Sequence, residues 1–285
     1  MTNDVKLGYI GLGNMGTPMA KKMLEWPGGL TVYDIRTEAM TPLAERGALL
    51  ADSVADVASA DIISVTVLND AQVREVVAEL AAHAKPGTVI AIHSTISDTT
   101  AEELAREHEP HDIHVVDAPV SGGGRAARFG QLATMVGAGD EVFARVKEPF
   151  SHWAELVVHA GPPGAGTRMK LARNMLTFTT WAAVGEAWKL AEAAGLNLLD
   201  LGEVVRHTDK LTGAAGSIMY REDTKDLEPG HFLYDGFMHT RGLGEKDLSL
   251  ALALAEAVSV DLPLAKLALE QLGPALGVPH TQKES

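Results

Sequence analysis

The 285-residue chain contains no cysteine. It therefore has no disulfide, no thiolate nucleophile and no cysteine-ligated metal. Positive charge is also scarce: 24 Lys and Arg stand against 38 Asp and Glu, a formal net charge of −14. That balance repels phosphate backbones and anionic lipid, which argues against nucleic acid or a membrane surface as main partner. A local positive pocket for a small anion stays open. Long uncharged apolar runs are missing, and a membrane-spanning helix needs roughly 18 residues or more. The opening MTNDVKLGYI has an acidic residue and passes directly into a strand-like run, without a signal-peptide pattern. The expectation is a soluble cytoplasmic protein. Hydrophobic residues are plentiful at 46%, and with this length they suggest two domains.

The first half alternates β-rich runs with helical stretches. KLGYIGLG (6–13), LTVYDI (30–35), ADIISVTVL (60–68), GTVIAIHST (87–95), DIHVVDAPV (112–120), QLATMVGA (131–138) and AELVVHAG (154–161) read as strands. Helical spacing follows the first strand from about Thr17 to Trp26 and recurs in DAQVREVVAELAAHA, which stops at Lys85-Pro86-Gly87. Strands separated by helices predict an α/β domain with a doubly wound, mostly parallel sheet of the Rossmann type. After GPPGAG (161–166) the period-two alternation ceases. MKLARNMLTFTTWAAVGEAWKLAEAAG (169–195) reads as one long helix, followed by helices at NLLDLGEVVRHT, DLSLALALAEAVSV and LPLAKLALEQLGPAL. The expected domains are a dinucleotide-binding unit at 1–162 and an all-α substrate and dimerisation unit at 163–285, joined by the long helix.

GLGNMG (11–16) fits G-x-G-x-x-G between a predicted strand and a predicted helix. Gly11 permits a tight turn, Gly13 lets a pyrophosphate approach the backbone, and Gly16 allows close helix–strand packing. The N–H groups of Leu12, Asn14 and Met15 belong to the same phosphate-binding turn. The alternative is a glycine-rich turn with no ligand. Asp34 ends the second strand, where a carboxylate can bind ribose hydroxyls and repel a 2′-phosphate, favouring NAD. Arg36 either pairs with that phosphate, which keeps NADP open, or is simply solvated.

DAPVSGGG (117–124) and HST (93–95) lie at the carboxyl ends of strands, where doubly wound sheets place ligands. Ser121, Gly122 and Gly123 can turn donors towards a carboxylate, although SGGG alone also reads as a flexible turn. Thr95 can reach the nicotinamide end of a dinucleotide. Lys170 and Asn174 stand one helical turn apart in GAGTRMKLARN, so both can reach one object; taken alone, they read first as a solvated helix start.

GYIGLGNMGTPMA, DAPVSGG, G-x-G-x-x-x-K-x-x-x-N at 164–174 and KDL at 246–248 occur in this order. Together they resemble the β-hydroxyacid dehydrogenase family, which includes 3-hydroxyisobutyrate, tartronate semialdehyde and 6-phosphogluconate enzymes. The resemblance spans essentially the whole chain. It implies hydride transfer between a nicotinamide dinucleotide and a small β-hydroxy acid or its semialdehyde. Separately, the long, apolar face of the 169–195 helix suggests a homodimer or homotetramer. The resemblance also implies Lys170 as catalytic acid/base, Asn174 as substrate-orienting, and Ser121, Gly122 and Gly123 as holders of the substrate carboxylate. Gly11, Gly13, Gly16 and Asp34 would bind the dinucleotide, with Thr95 near its nicotinamide. Lys246 would close over it, with Asp247 bracing that turn. Desolvation and a neighbouring cation, for which Lys246 is a candidate, would lower the lysine pKa.

The chain departs from the family pattern in three places. Arg173 replaces the first of an Asn-Asn pair, Asp98 stands where proline is common, and His239 stands where short members often have phenylalanine, with Phe237 nearby. His239 reads as a partly buried packing residue or a substrate-facing group. Phe178, Trp181 and Trp188 have core or interface spacing on the long helix. His207, His231 and His280 lack metal-ligand spacing, and 213–223 reads as a loop. Two rival functions remain: an imine reductase of the same fold, against which the lysine argues, and a dinucleotide-binding sensor without turnover.

Overall fold

The computed structural model of the chain describes residues 5–279. Its contacts divide it into two units, Met1–Met175 and Leu176–Ser285. In the first, β1 (Leu7–Ile10), α1 (Gly16–Met23), β2 (Leu30–Tyr33), α2 (Thr37–Ala44), β3 (Leu49–Leu50), α3 (Val54–Val57) and β4 (Ile62–Val65) follow one another. Next come α4 (Asp70–His83), β5 (Val89–Ile92), α5 (Asp98–His108), β6 (His114–Asp117), β7 (Val120–Ser121) and α6 (Gly123–Phe129). The series ends with β8 (Leu132–Gly137), α7 (Asp140–Phe150), β9 (Ala154–Gly161) and the start of α8 (Ala165–Ala193).

Strands β3-β2-β1-β4-β5-β6 form a parallel sheet in that order. β8 then runs antiparallel to β6 and β7, while β9 pairs parallel with β8. The register Asp117↔Gly137, Val120↔Thr134 and Ser121↔Ala133 is continuous, so β7 prolongs β6 past the break at Ala118-Pro119. Successive side chains of a strand point to opposite faces, and both faces here are covered. Leu7, Tyr9, Ile62, Val89, Ala91 and Val116 pack into one layer with Phe150 and Trp153. Ile10, Ile63, Val65, Ile90, Ile92 and Val115 pack into the other. This explains the near-continuous apolar runs, which a parallel sheet with helices on both sides requires.

One polar side chain lies deep in the first layer. His93, after β5, contacts Ala118 O through Nδ1 at 2.8 Å and Ser64 Oγ through Nε2 at 3.0 Å. Phe150 and Trp153 meet its ring edge-to-face. Burial pushes its pKa down to about 4, against the Ala118 contact, so the folded protein holds it neutral. Below pH 6.5 the unfolded chain binds a proton that the folded chain refuses, and stability falls until about pH 4. The expected loss attributable to this ring is about 2 kcal/mol between pH 7 and pH 5. Urea titrations of wild type and His93→Gln at both pH values measure it; equal losses in the two proteins would refute it.

The second unit is helical among its described residues. It comprises the remainder of α8, α9 (Leu198–Thr212), α10 (Tyr234–Ala257) and α11 (Pro263–Leu276). Asn197 accepts from Leu199 and Asp200 N–H to cap α9. Glu186 accepts from Leu264 and Ala265 N–H at the start of α11. Phe237, Leu276 and Val278 form a small core. α10 begins at Tyr234, well before the DLSLALALAEAVSV stretch, and residues 246–247 lie in its interior. Asp247 therefore braces no turn. His239 is exposed rather than partly buried. No described helix is long and apolar enough to cross a membrane.

Candidate active site

The chain reverses direction across the sheet between β1 and β4, and ligands of such folds bind beyond the carboxyl ends of the strands there. The glycine turn leaves β1 at this point. Gly11 has φ +91°, and a Cβ there would stand 2.0 Å from Thr66 O of the neighbouring strand end. A Cβ on Gly16 would stand 1.9 Å from Gly11 O. Gly13 differs, because nothing lies within 4 Å of where its Cβ would be. Two glycines are thus demanded by the fold and the third keeps open space above the backbone. Met15, at the start of α1, offers no side-chain cap, and the first turn of that helix has no acidic residue. These features fit a pyrophosphate lying over the turn.

Asp34 follows β2 and is only 8% exposed. Its Oδ2 accepts from Leu12 N–H at 2.6 Å, and its Oδ1 accepts from Arg36 N–H at 2.9 Å and Nε–H at 3.1 Å. Burial raises its pKa, but these hydrogen bonds and the Arg36 charge outweigh burial and hold it below the usual value. Asp34 is therefore ionised at neutral pH and locks the glycine turn to β2. Arg36 also donates from Nη2 to Leu12 O at 3.4 Å. The exposed Ile35 (86%) and Leu68 (88%) follow β2 and β4, on either side of the turn. Sequence reasoning gave them no role; an apolar residue two or three positions past a strand end is the signal.

Thr95 is exposed beyond β5, next to a latch in which Ser94 Oγ accepts from Val67 N–H at 2.9 Å and donates to Val67 O at 2.7 Å. At the end of β7, Ser121 is half-buried, while Gly122 and Gly123 are exposed with φ +129° and +69°. The SGGG stretch is more than a turn, since α6 begins within it at Gly123.

Lys170 lies on the second turn of α8 and is 8% exposed. Burial, then the charge of Arg173, lowers its pKa from the ordinary lysine value. Within the first unit the cation that acts on it is Arg173. No carboxylate lies within 4 Å of its ammonium among the described residues. Asn174, half-buried one turn on, accepts from Arg173 Nη1 at 3.4 Å. Lys246 belongs to the second unit, where it pairs with Asp247 at 3.0 Å. Among the described residues no three or more His, Asp and Glu side chains are grouped to hold a metal; His280 lies outside them.

Residues 6–161 match the NAD binding domain of 6-phosphogluconate dehydrogenase. Residues 164–279 match the NAD-binding domain of NADP-dependent 3-hydroxyisobutyrate dehydrogenase. The chain belongs to the β-hydroxyacid dehydrogenase family. An uncharacterized oxidoreductase of Mycobacterium tuberculosis is 65% identical over 98% of this chain and 96% of its own length. The 3-hydroxyisobutyrate dehydrogenase of Pseudomonas aeruginosa is 33% identical over 92% of this chain and 89% of its own length. A crystal structure of an oxidoreductase from Mycobacterium avium 104 superposes with a TM-score of 0.95 at 75% identity, covering 97% of this chain and all of that one. The β-hydroxyacid dehydrogenase fold and an NAD(P)-binding oxidoreductase function thus follow from both sequence and structure.

Proposed function

We propose that this β-hydroxyacid dehydrogenase moves a hydride between a nicotinamide dinucleotide, preferentially NAD, and a small β-hydroxy acid or its semialdehyde in the cytoplasm. The observation that carries the reading is a buried Lys170 without a carboxylate partner, on a helix tied to the strand end beside Ser121–Gly123. A bound dinucleotide supplies the hydride acceptor in oxidation or the donor in reduction. Neutral Lys170 takes the proton of the substrate hydroxyl during oxidation, and its ammonium returns a proton to the forming alkoxide in reduction. Its lowered pKa increases the neutral fraction at physiological pH. Ser121 and the Gly122 and Gly123 amides hold the substrate carboxylate, and Asn174 steadies the substrate from one turn along α8. Thr95 borders the nicotinamide and Lys246 closes over the cofactor. Ile35 and Leu68 give an apolar seat to the adenine. Asp34 binds the adenosine ribose, and Arg36 keeps some access for NADP.

The test is dinucleotide reduction by purified protein, with NAD and NADP in separate reactions. The panel is 3-hydroxyisobutyrate, L-serine, L-threonate and 2-(hydroxymethyl)glutarate, compounds for which relatives are named. Turnover of one acid, faster with NAD, is the expected result. Silence on the acids with reduction of cyclic imines would replace the reading by an imine reductase. Tight dinucleotide binding without any turnover would replace it by a sensor.

We also propose a homodimer or homotetramer. Phe178, Trp181 and Trp188 are exposed on α8, and apolar surface of this kind usually marks an interface. Light scattering is expected to give two or four times the 30.2 kDa chain mass. A monomer at micromolar concentration would refute the assembly.

A further inference from the structure

Asp117 is the last residue of β6 and is 1% exposed. Its Oδ1 accepts from Gly164 N–H at 2.7 Å, and its Oδ2 accepts from Thr167 N–H at 2.6 Å. No Lys, Arg or His lies within ion-pair distance of it among the described residues. Burial raises its pKa, opposed by the two backbone donors. An isolated buried carboxylate is costly, and a cap from the chain just before α8 would satisfy the same N–H groups more cheaply. The fold has instead cleared room for this one. A Cβ at Gly137 would stand 2.1 Å from Asp117 Oδ1, and one at Gly166 would stand 2.2 Å from Met135 O. Both glycines let the start of α8 press against the sheet at this point.

Two parts of the active edge radiate from that contact. Three residues after Thr167, about one helical turn, comes Lys170. Four residues after Asp117, along the continuous β6–β7 register, comes Ser121. We propose that Asp117 is a positioning residue whose single carboxylate staples the substrate-carboxylate loop to the helix carrying Lys170, fixing the distance between anchor and proton acceptor. This rests on the roles given above to Lys170 and Ser121–Gly123. Without the staple the first turn of α8 loses the acceptor for two N–H groups and loosens. A displacement of about 1 Å at a reacting group can cost about 100-fold in rate.

The test uses Asp117→Asn, which keeps the shape but turns an amide donor towards one of the two N–H groups. We expect kcat to fall about 100-fold while dinucleotide Kd stays within about threefold, because the glycine turn on β1 is not touched. A second readout needs no substrate: the pH titration of ¹³C-dimethylated Lys170 by NMR, its signal assigned by absence in Lys170→Ala. Loss of the negative charge alone would move this lysine's pKa down, whereas loosening of its burial moves it up; we expect it to rise. Should Asp117→Asn not fold, Asp117→Ser, whose smaller hydroxyl can still accept from one of the two N–H groups, is expected to give the same pair of effects. Wild-type kcat and titration in Asp117→Asn would overturn the staple. So would a loss of activity matched by equal losses in dinucleotide affinity and Tm, which marks a general structural role. If no acid on the panel is turned over but the Lys170 titration still shifts upward, the staple stands and the functional reading falls. Turnover in the wild type with an unmoved titration in the variant means the reverse.

Discussion

Lys170→Ala is expected to lower kcat/KM for the best acid on the panel about 10³-fold while leaving dinucleotide affinity within about threefold. A positioned general acid or base contributes roughly 10² to 10⁴ in rate, and no other titratable side chain on the described active edge is placed to substitute. Asp34 is ionised and engaged with Leu12 and Arg36. Asp117 is engaged with two backbone amides. The pH dependence separates a lost base from a lost contact. In the wild type, oxidation should accelerate as pH rises through a lysine pKa that burial and Arg173 have moved below the ordinary value. In the variant that limb should vanish. Activity above a tenth of wild type, with the limb intact, would assign the proton transfer to another group.

Gly13→Val is expected to weaken dinucleotide binding about 100-fold and to change stability by no more than about 0.5 kcal/mol, the usual range for a surface substitution. The two halves of that forecast come from one observation, the empty space around the Gly13 Cβ position. Gly13 is also absent from the positive-φ glycines, so a side chain there strains no backbone. Valine meets no protein atom but stands where a pyrophosphate would approach the turn. Gly11→Val is the contrasting control: positive φ and a 2.0 Å approach to Thr66 O make it a folding defect first. Isothermal titration with NAD, alongside urea denaturation, measures both quantities. Unchanged NAD affinity in a folded Gly13→Val protein would remove the ligand from this turn.

The sheet was legible because its strands are β-branched runs bounded by turn residues, and β1, β2, β4, β5, β6, β8 and β9 all fall within the stretches read as strands. The pair β2 and β3 shows the limit. Leu49-Leu50 is too short and exposed for periodicity to mark it, and only its pairing with Thr31 and Val32 makes it a strand. α6 was hidden for another reason: glycine is a poor helix former, and three in succession read as a turn. The helical start there is imposed by packing, with Ala127 in the core. At the site, motif spacing located Lys170, Ser121 and the glycine turn. The role of Asp117 lay beyond such reasoning, because its partners are 47 and 50 residues downstream. Long-range contacts likewise decide that His93 is a core residue, although it sits beside Ser94 and Thr95 at the edge.

The hydrogen bonds at Asp34 bear on how a chain of this kind can change over generations. The carboxylate that would discriminate between dinucleotides is also the acceptor for the N–H of Leu12, a residue 3% exposed. Replacing it to admit a 2′-phosphate strands that buried donor, at about 1–3 kcal/mol, and frees the Arg36 guanidinium from its carboxylate partner. A single substitution at this position therefore carries a stability cost of its own, which a second change giving Leu12 another acceptor would remove.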